Sequence, residues 1–233
     1  MSVASLLLPV SGADFKAKFE QLRLRIFGRL RLGAYSRSLR YGLSRDLNVP
    51  FEKPNAKIPI EVRLATEDDL RQLLFFESSQ SVDDRLEIAW RRAFAERGAK
   101  RCFVAVDQRD NKPCYMQWLF GAKDNPFIAE LGGFPLLKPH EALLENAYTP
   151  AQYRGLGIMP AAMARIAEHA ADIGASQVIT FVDEDNIPSL KGCQRAGFHP
   201  SLLHHRVQMA FGLIKRHDFE PLAENDPRRA QKF

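Results

Sequence analysis

Cysteine is scarce in this chain. Cys102, Cys114 and Cys193 are the only three in 233 residues, and no two stand at C-x-x-C spacing. An odd, scattered set excludes a disulfide framework and a cysteine-ligated zinc site. It fits a reducing compartment, so a cytoplasmic protein without a metal is expected. Long apolar runs are missing too: none approaches the roughly 18 to 20 residues of a bilayer-spanning helix. The opening MSVASLLLPVSGAD lacks basic residues ahead of its apolar stretch, which argues against a secretory leader. No G-K-[ST] follows a glycine-rich loop, so a P-loop is excluded. There are no internal repeats and no low-complexity tract.

What is present reads as an ordinary globular chain, 45% hydrophobic and 26% charged. Its length suits one sizeable domain with an extension, or two small ones. The net charge of +5 is uneven: between Asp14 and Asp46 nine Lys/Arg face three acids, so this stretch carries +6 and the remainder about −1. Within it Phe15, Phe19, Leu22, Ile26 and Leu30 recur at helical spacing, with Asp14 as cap and Gly33 as stop. A second short helix is expected around SRSLRYGLSRDL. NVPFEKPNAKIP, with three prolines, reads as a linker. The expected division is therefore an extension and linker over 1–57, a main domain over 58–218 and a tail over 219–233.

Beyond the linker, strands and helices alternate. Ile60–Ala65 has strand alternation, and TEDDLRQLLFFES opens as a capping box on Thr66. DDRLEIAWRRAFAER is a second helix. RCFVAVDQ and PCYMQWLFGA flank RDNKP as a hairpin. Residues 123–140 read as loop. Ala142–Tyr148 and Gln177–Val182 are strands, NIPSLKGCQRA is a short helix ending at Gly197, and HHRVQMAFGLIK is a final strand or hairpin. The sum is a mixed α/β core.

The informative stretch is YRGLGIMPAAMARIAEHAADIG, Tyr153 to Gly174. Glycines permit a left-handed turn and alanines permit close packing, which is a sufficient structural account. A glycine-rich turn opening a helix also leaves backbone N–H groups unpaired at the positive end of the dipole, where phosphate binds. A dinucleotide fingerprint fails, because Gly155-x-Gly157-x-x lands on Pro160. The features further along decide between these accounts. Arg154 and Gly157 in RGLGIM, Gly174 as the end of the helix, VITFV, Asn186, Ser189 and the closing Gly197-Phe198 together resemble the GNAT family of acyl-CoA-dependent N-acyltransferases. The resemblance is clearest over residues 142–198, extends from about 58 to 218, and leaves the first 57 residues uncovered.

The resemblance implies a GNAT-like α+β fold, a central mixed and mostly antiparallel sheet flanked by helices. It also implies acyl transfer, most simply of acetyl, from acetyl-CoA or another acyl-CoA to the amine of a small molecule or amino sugar. Arg154, Gly155, Leu156, Gly157, Ile158 and Met159 would cradle the pyrophosphate. The strand before the loop would splay from its neighbour to admit the pantetheine arm. Backbone groups of Ala147, Tyr148 and Thr149 would polarise the thioester carbonyl. Asn186 and Ser189 would reach the cofactor arm, Asn186 also capping its helix.

Two positions depart from the family pattern. Met159 stands where Gly or Ala is preferred; a shifted register, QYRGLG, restores the pattern, but the distances to Gly174 and Asn186 favour the Arg154 register. Cys193 stands where relatives place a tyrosine as acid for the leaving thiolate, and a small packed residue is the competing reading. For the general base the candidates are Glu145 and Glu141, with Glu130 behind them. His140, His204 and His205 suit packing or surface roles better than catalysis. The basic stretch 14–46 has several readings: a helix packed on the body, an amphipathic anchor on anionic membrane, a dimerisation arm, or, last, nucleic-acid binding supported only by charge. Rivals to the small-molecule enzyme are a silent acyl-CoA-binding module and a long-chain acyltransferase at a membrane surface.

Overall fold

The computed structural model describes residues 33–74 and 82–233, with backbone alone at 82 and 83. The helix expected on the Phe15–Leu30 stripe lies outside them. In chain order the elements are β1 (Tyr35–Asp46), β2 (Ile60–Leu64), α1 (Glu67–Leu74), α2 (Val82–Glu96), β3 (Cys102–Asp107), β4 (Lys112–Gly121), α3 (Asn125–Leu131), β5 (Glu141–Tyr148), α4 (Ile158–Glu168), β6 (Gln177–Asp183), α5 (Ile187–Arg195), β7 (His199–Met209) and β8 (Ile214–Pro221). All eight strands form one sheet of order β2-β3-β4-β5-β6-β1-β7-β8. Only β5 and β6 run parallel, so the sheet is mixed and mostly antiparallel, as expected.

The stretch SRSLRYGLSRDL corrects the sequence reading: it is strand β1, not a helix. It pairs with β6, Arg40 opposite Asp183, and with β7, Leu39 opposite His205. The reason is a period of two that its arginines conceal. Leu39, Tyr41 and Leu43 join one apolar layer, with Leu43 fully buried. Two of the basic residues counted toward a surface-facing stretch turn inward. The Arg45 guanidinium donates from Nη1 to the carbonyls of Ala164 (3.0 Å) and Ala196 (3.4 Å) and lies 4.6 Å over the Phe51 ring. Arg40 is half-buried between the Phe181 and Phe134 rings.

Helices cover both faces. One face, with Leu43, Tyr115, Leu144 and Val182, packs against α4 and α5; the other, with Val104, Trp118, Phe120 and Ile179, packs against α1, α2 and α3. The segment 123–140, expected as loop, contains α3, whose entry through Pro126 and seven-residue length hide its periodicity. Asn125 pins the following coil by bonds to the carbonyl and amide of Leu137, both 2.9 Å. The chain beyond 218 is also built in: Leu222 is buried, and the Phe233 ring meets Tyr41 edge-on at 5.0 Å.

The capping box at α1 forms as the sequence predicts. Asp69 accepts from the amide and hydroxyl of Thr66 (both 2.7 Å), Thr66 Oγ1 accepts from the Asp69 amide (3.2 Å), and Arg63 adds an ion pair. Burial pushes the Asp69 carboxyl up, but the Arg63 and Thr66 bonds outweigh it and hold the group below the usual carboxylate range. Asp69→Ala is therefore expected to cost about 2 kcal/mol, a lost cap plus a lost charge-assisted bond. A urea midpoint lowered at constant slope would report it. Because the folded-state value is depressed, this stability is present above about pH 4 and fades as pH falls through the folded value, closing the gap between variant and wild type.

Candidate active site

The glycine-rich turn enters α4 with Gly155 and Gly157 at φ of 77° and 70°, the left-handed region in which glycine pays no Cβ penalty. Gly157 is the N-cap residue of α4, and its lack of a side-chain cap leaves the helix start unsealed. Among the described residues no acceptor is recorded for the amides of Gly155, Leu156, Gly157, Ile158 or Met159. Five consecutive unpaired N–H groups at a helix N-terminus form an anion cradle. The alanines serve a separate need: Ala161, Ala162, Ala164 and Ala167 are fully buried and let α4 lie close on the sheet. Both accounts of the stretch therefore hold at once. The helix stops at Glu168, earlier than expected, and Gly174 (φ 81°) instead ends a short 3-10 turn, Ala171–Ile173.

Neighbouring groups fix the loop. The Lys57 amide donates to the Leu156 carbonyl (2.8 Å), tying the proline-rich segment to the turn. A cleft of about 340 Å³ between residues 55–60, Gln108 and Arg165 borders this junction, away from Glu145. The Arg154 side chain turns back, Nε to the Thr149 carbonyl (3.1 Å) and Nη2 to Asp84 (3.0 Å). The cation beside the cradle is Arg195, which the sequence reading missed; it is exposed, and its Nη2 would lie 3.6 Å from a Cβ built on Gly157. Met159, the departure from the family pattern, is accommodated by Gly192 on α5: a Cβ there would come within 2.7 Å of the Met159 sulfur. A small residue on the opposing helix replaces a small residue in the loop.

Next to the cradle the sheet opens. β5 pairs with β6 only at Glu141–Leu143, so from Leu144 onward the two strands part. On its other side β5 slips register against β4 between Met116 and Trp118, and Asn146 takes a left-handed φ of 63°. Such a bulge re-aims the side chains around it. Glu145 and Asn146 lie here, and each holds a buried polar atom without a partner, Oε2 and Nδ2. Buried polar groups are seldom left unpaired, and two adjacent ones beside an opened strand mark a place for a ligand. Burial raises the Glu145 carboxyl above its ordinary value, and the Arg40 guanidinium, 3.5 Å away, opposes that rise.

The remaining candidates separate clearly. Of the backbone groups expected to meet a thioester, the Ala147 carbonyl accepts from Arg91 Nη2 (2.6 Å), whose guanidinium lies 4.7 Å over the Tyr148 ring, and the Thr149 carbonyl accepts from Arg154. Asn186 caps α5, its side chain accepting from the Ser189 amide (3.2 Å); Asn186 is exposed and Ser189 half-buried. Cys193 lies in the core against Met163 (Sγ to Sδ 3.8 Å), its thiol pushed up to about 12 by burial and then by the Glu145 charge. Glu141 is at the far end of β5 and accepts from the Lys138 amide; Glu130 and His140 are exposed. His204 is fully buried, 2.9 Å from His217 and stacked on Phe219, and burial with Arg40 pushes it down to about 3, so it packs as a neutral ring. His205 is paired to Glu220 at 3.3 Å. Sequence reading overlooked Asn146, Arg40, Arg91 and Arg195. A positive φ at a non-glycine leaves no trace in a pattern of apolar residues. Among the described residues, no cluster of three His, Cys, Asp or Glu could hold a metal, and no helix is long and apolar enough to cross a membrane.

Comparison with known proteins agrees with this geometry. The family model described as Acetyltransferase (GNAT) domain matches residues 60–199. No curated protein matches the chain by sequence. Among solved structures, the chain resembles a GCN5-related glucosamine N-acetyltransferase region of a fungal multi-domain GH3 beta-N-acetylglucosaminidase, with 13% identity over 88% of this chain and 24% of that one, at a TM-score of 0.51. A GCN5-related N-acetyltransferase from Sphaerobacter thermophilus matches at 16% identity over 80% of this chain and 56% of its own, TM-score 0.43. A tandem GNAT protein from the clavulanic acid biosynthesis pathway matches at 15% over 85% and 58%, TM-score 0.44. The chain thus spans little more than half the length of the latter two.

Proposed function

The chain belongs to the GNAT acetyltransferase family, and from that premise we propose that it transfers an acyl group, most simply acetyl, from acyl-CoA to the amine of a small molecule, amino sugars included. The observation that carries the reading is the pairing of an unsealed amide cradle with a parted strand that holds a half-free, buried carboxylate. The cradle fits a pyrophosphate: five amides without acceptors, a helix dipole, Arg195 alongside, and glycines where a side chain would crowd the approach. The co-substrate supplies an acyl group activated as a thioester with a thiolate leaving group.

The protein's own contributions are orientation and proton removal. Loop residues 154–159 fix the co-substrate by its phosphates, so that its arm follows β5 into the gap. Glu145, with Oε2 free, takes the proton as the amine nitrogen bonds to the carbonyl carbon. Asn146, with Nδ2 free, is placed to donate to the oxygen that gains charge in that step. As the C–S bond breaks, the thiolate is protonated from solvent or by the Glu145 carboxylic acid, which restores the carboxylate. Cys193 takes no part, because its buried thiol faces the core.

Glu145→Gln tests this. Free-thiol release from acetyl-CoA would be followed with a panel of primary amines that includes glucosamine, alongside calorimetric binding of acetyl-CoA. The variant should lose about 10²- to 10⁴-fold in kcat while its Kd for acetyl-CoA stays unchanged. Undiminished turnover would remove Glu145 from the mechanism. A second reading, a module that binds acyl-CoA without turning it over, is favoured by one observation, the burial of Cys193 at the position of the usual acid. It predicts that wild type and variant alike bind acetyl-CoA and release no thiol above background.

A further inference from the structure

We infer that Arg40, contributed by strand β1 outside the region matched by the family, is a positioning residue that holds the Glu145 carboxylate ionised and leaves Oε2 as the oxygen free to accept a proton. This rests on the reading of Glu145 as the base. The family match begins at Ile60, after β1 has ended at Asp46. The sheet order nevertheless places β1 beside β6, the strand that parts from β5, so that a long side chain from β1 can reach Glu145.

The geometry is that of a clamp. Arg40 is 11% exposed and its Nη2 is shared between the Phe181 carbonyl (2.8 Å) and Glu145 Oε1 (3.5 Å), while Nε lies 3.7 Å from Asp183 Oδ1. The guanidinium carbon sits 5.5 Å from the Phe181 ring centre and 5.7 Å from that of Phe134, so two aromatic faces hold its plane. Asp183 is in turn bonded by Arg206 Nη2 (2.6 Å), and Arg206 is tied to Ser38 on β1 (3.0 Å). An arginine fixed by a backbone carbonyl, two rings and a braced acid is preorganised, and it touches one oxygen of Glu145 only. A cation close to a buried carboxylate favours its charged form, while a second carboxylate disfavours it.

The charges around Glu145 come from every neighbouring element. Arg40 on β1, Arg206 on β7 and Arg91 on α2 attract it; Asp183 on β6 repels it. Cys193 on α5, pushed up to about 12, is neutral in the working range. His204 on β7, pushed down to about 3, and His217 on β8, also lowered, are neutral there too. Of these groups, only Arg40 stands within ion-pair distance of Glu145.

The test is a titration of the full chain, read from the carbon-13 carboxyl resonance of Glu145, assigned by its disappearance in Glu145→Gln. In Arg40→Gln the midpoint should rise by at least about one pH unit, and in Arg40→Lys it should stay near wild type. In Asp183→Asn, whose side chain is 45% exposed and less critical to folding, it should fall. Where an amine substrate is turned over, the acid limb of kcat/KM should move the same way in each variant, while the acetyl-CoA Kd does not change. An unmoved midpoint in both Arg40→Gln and Asp183→Asn overturns the inference. So does equal damage in Arg40→Gln and Arg40→Lys with no shift, which a purely structural role would produce. If Arg40→Gln fails to fold, Arg40→Met is titrated in its place, with the same rise expected and an unmoved midpoint overturning the inference. Full activity in Glu145→Gln would instead overturn the base assignment and leave the titration result standing.

Discussion

Gly157→Asp should abolish acetyl-CoA binding, weakening the calorimetric Kd by roughly 100-fold or more, while the protein keeps its fold. The cradle at residues 155–159 works through unpaired amides, and each charge-assisted bond lost to a phosphate is worth about 1.5–3 kcal/mol, so two of them exceed two decades in Kd. A carboxylate at the N-cap of α4 would compete for those amides and repel the phosphates. The fold has reason to survive. A Cβ at Gly157 meets nothing nearer than 3.6 Å, so the cost is backbone strain at φ 70°, which Asp tolerates better than most residues, of order 1 kcal/mol. Gly157→Ala isolates that strain and should bind only a few-fold more weakly. Unchanged affinity in Gly157→Asp would return the turn to its structural role alone.

A chain beginning at residue 48 should fail to fold, the other large effect. The family match begins at residue 60, which makes the earlier residues look expendable. Strand β1 is not at an edge, however: β6 and β7 both pair with it over much of their length. Removing it leaves two facing strand edges with unpaired backbone groups, and opens the core where Leu43 is fully buried. Arg45 would take with it the bonds that satisfy carbonyls of Ala164 and Ala196. Loss of Leu43 alone is a deletion of the 2–5 kcal/mol class, against a total stability of about 5–15 kcal/mol. Circular dichroism with a thermal scan would decide, and a cooperative transition in the truncated chain would contradict the expectation.

The parts legible in the sequence were those whose signal is local. Thr66 and Asp69 announce a cap because the bonds they make span three residues. The hairpin of β3 and β4, the glycine turn into α4 and the Asn186 cap on α5 are likewise short-range, and all stand where the residues place them. Strand β1 was misread because its partners are far along the chain and its inward positions include Arg40 and Arg45. Alternation of Leu39, Tyr41 and Leu43 is visible only once those arginines are allowed to be interior. Glu145 was legible as a carboxylate on the strand before the glycine turn, but its unpartnered Oε2 and its contact with Arg40 were not, since they depend on a bulge and on a residue more than a hundred positions earlier. Cys193 shows the converse difficulty: its family position offered two readings, an acid for the thiolate or a small packed residue, and its burial against Met163 supports the second.

The position of β1 also sets the order in which the molecule can be completed. Its bonds reach across 141 residues from Arg40 to Phe181 and across 168 from Ser38 to Arg206. During synthesis β1 must therefore wait for its first partner until β6 has been made, and for its second until β7 has. Strands β2 to β5 can condense early through local helices and hairpins, whereas β1 joins the sheet only after β6 is made. Contacts of such length slow folding and lengthen the exposure of sticky strand edges. In a protein built this way Arg40 meets Glu145 only when β1 has found its partners, so the environment of that carboxylate is completed by a strand made long before it.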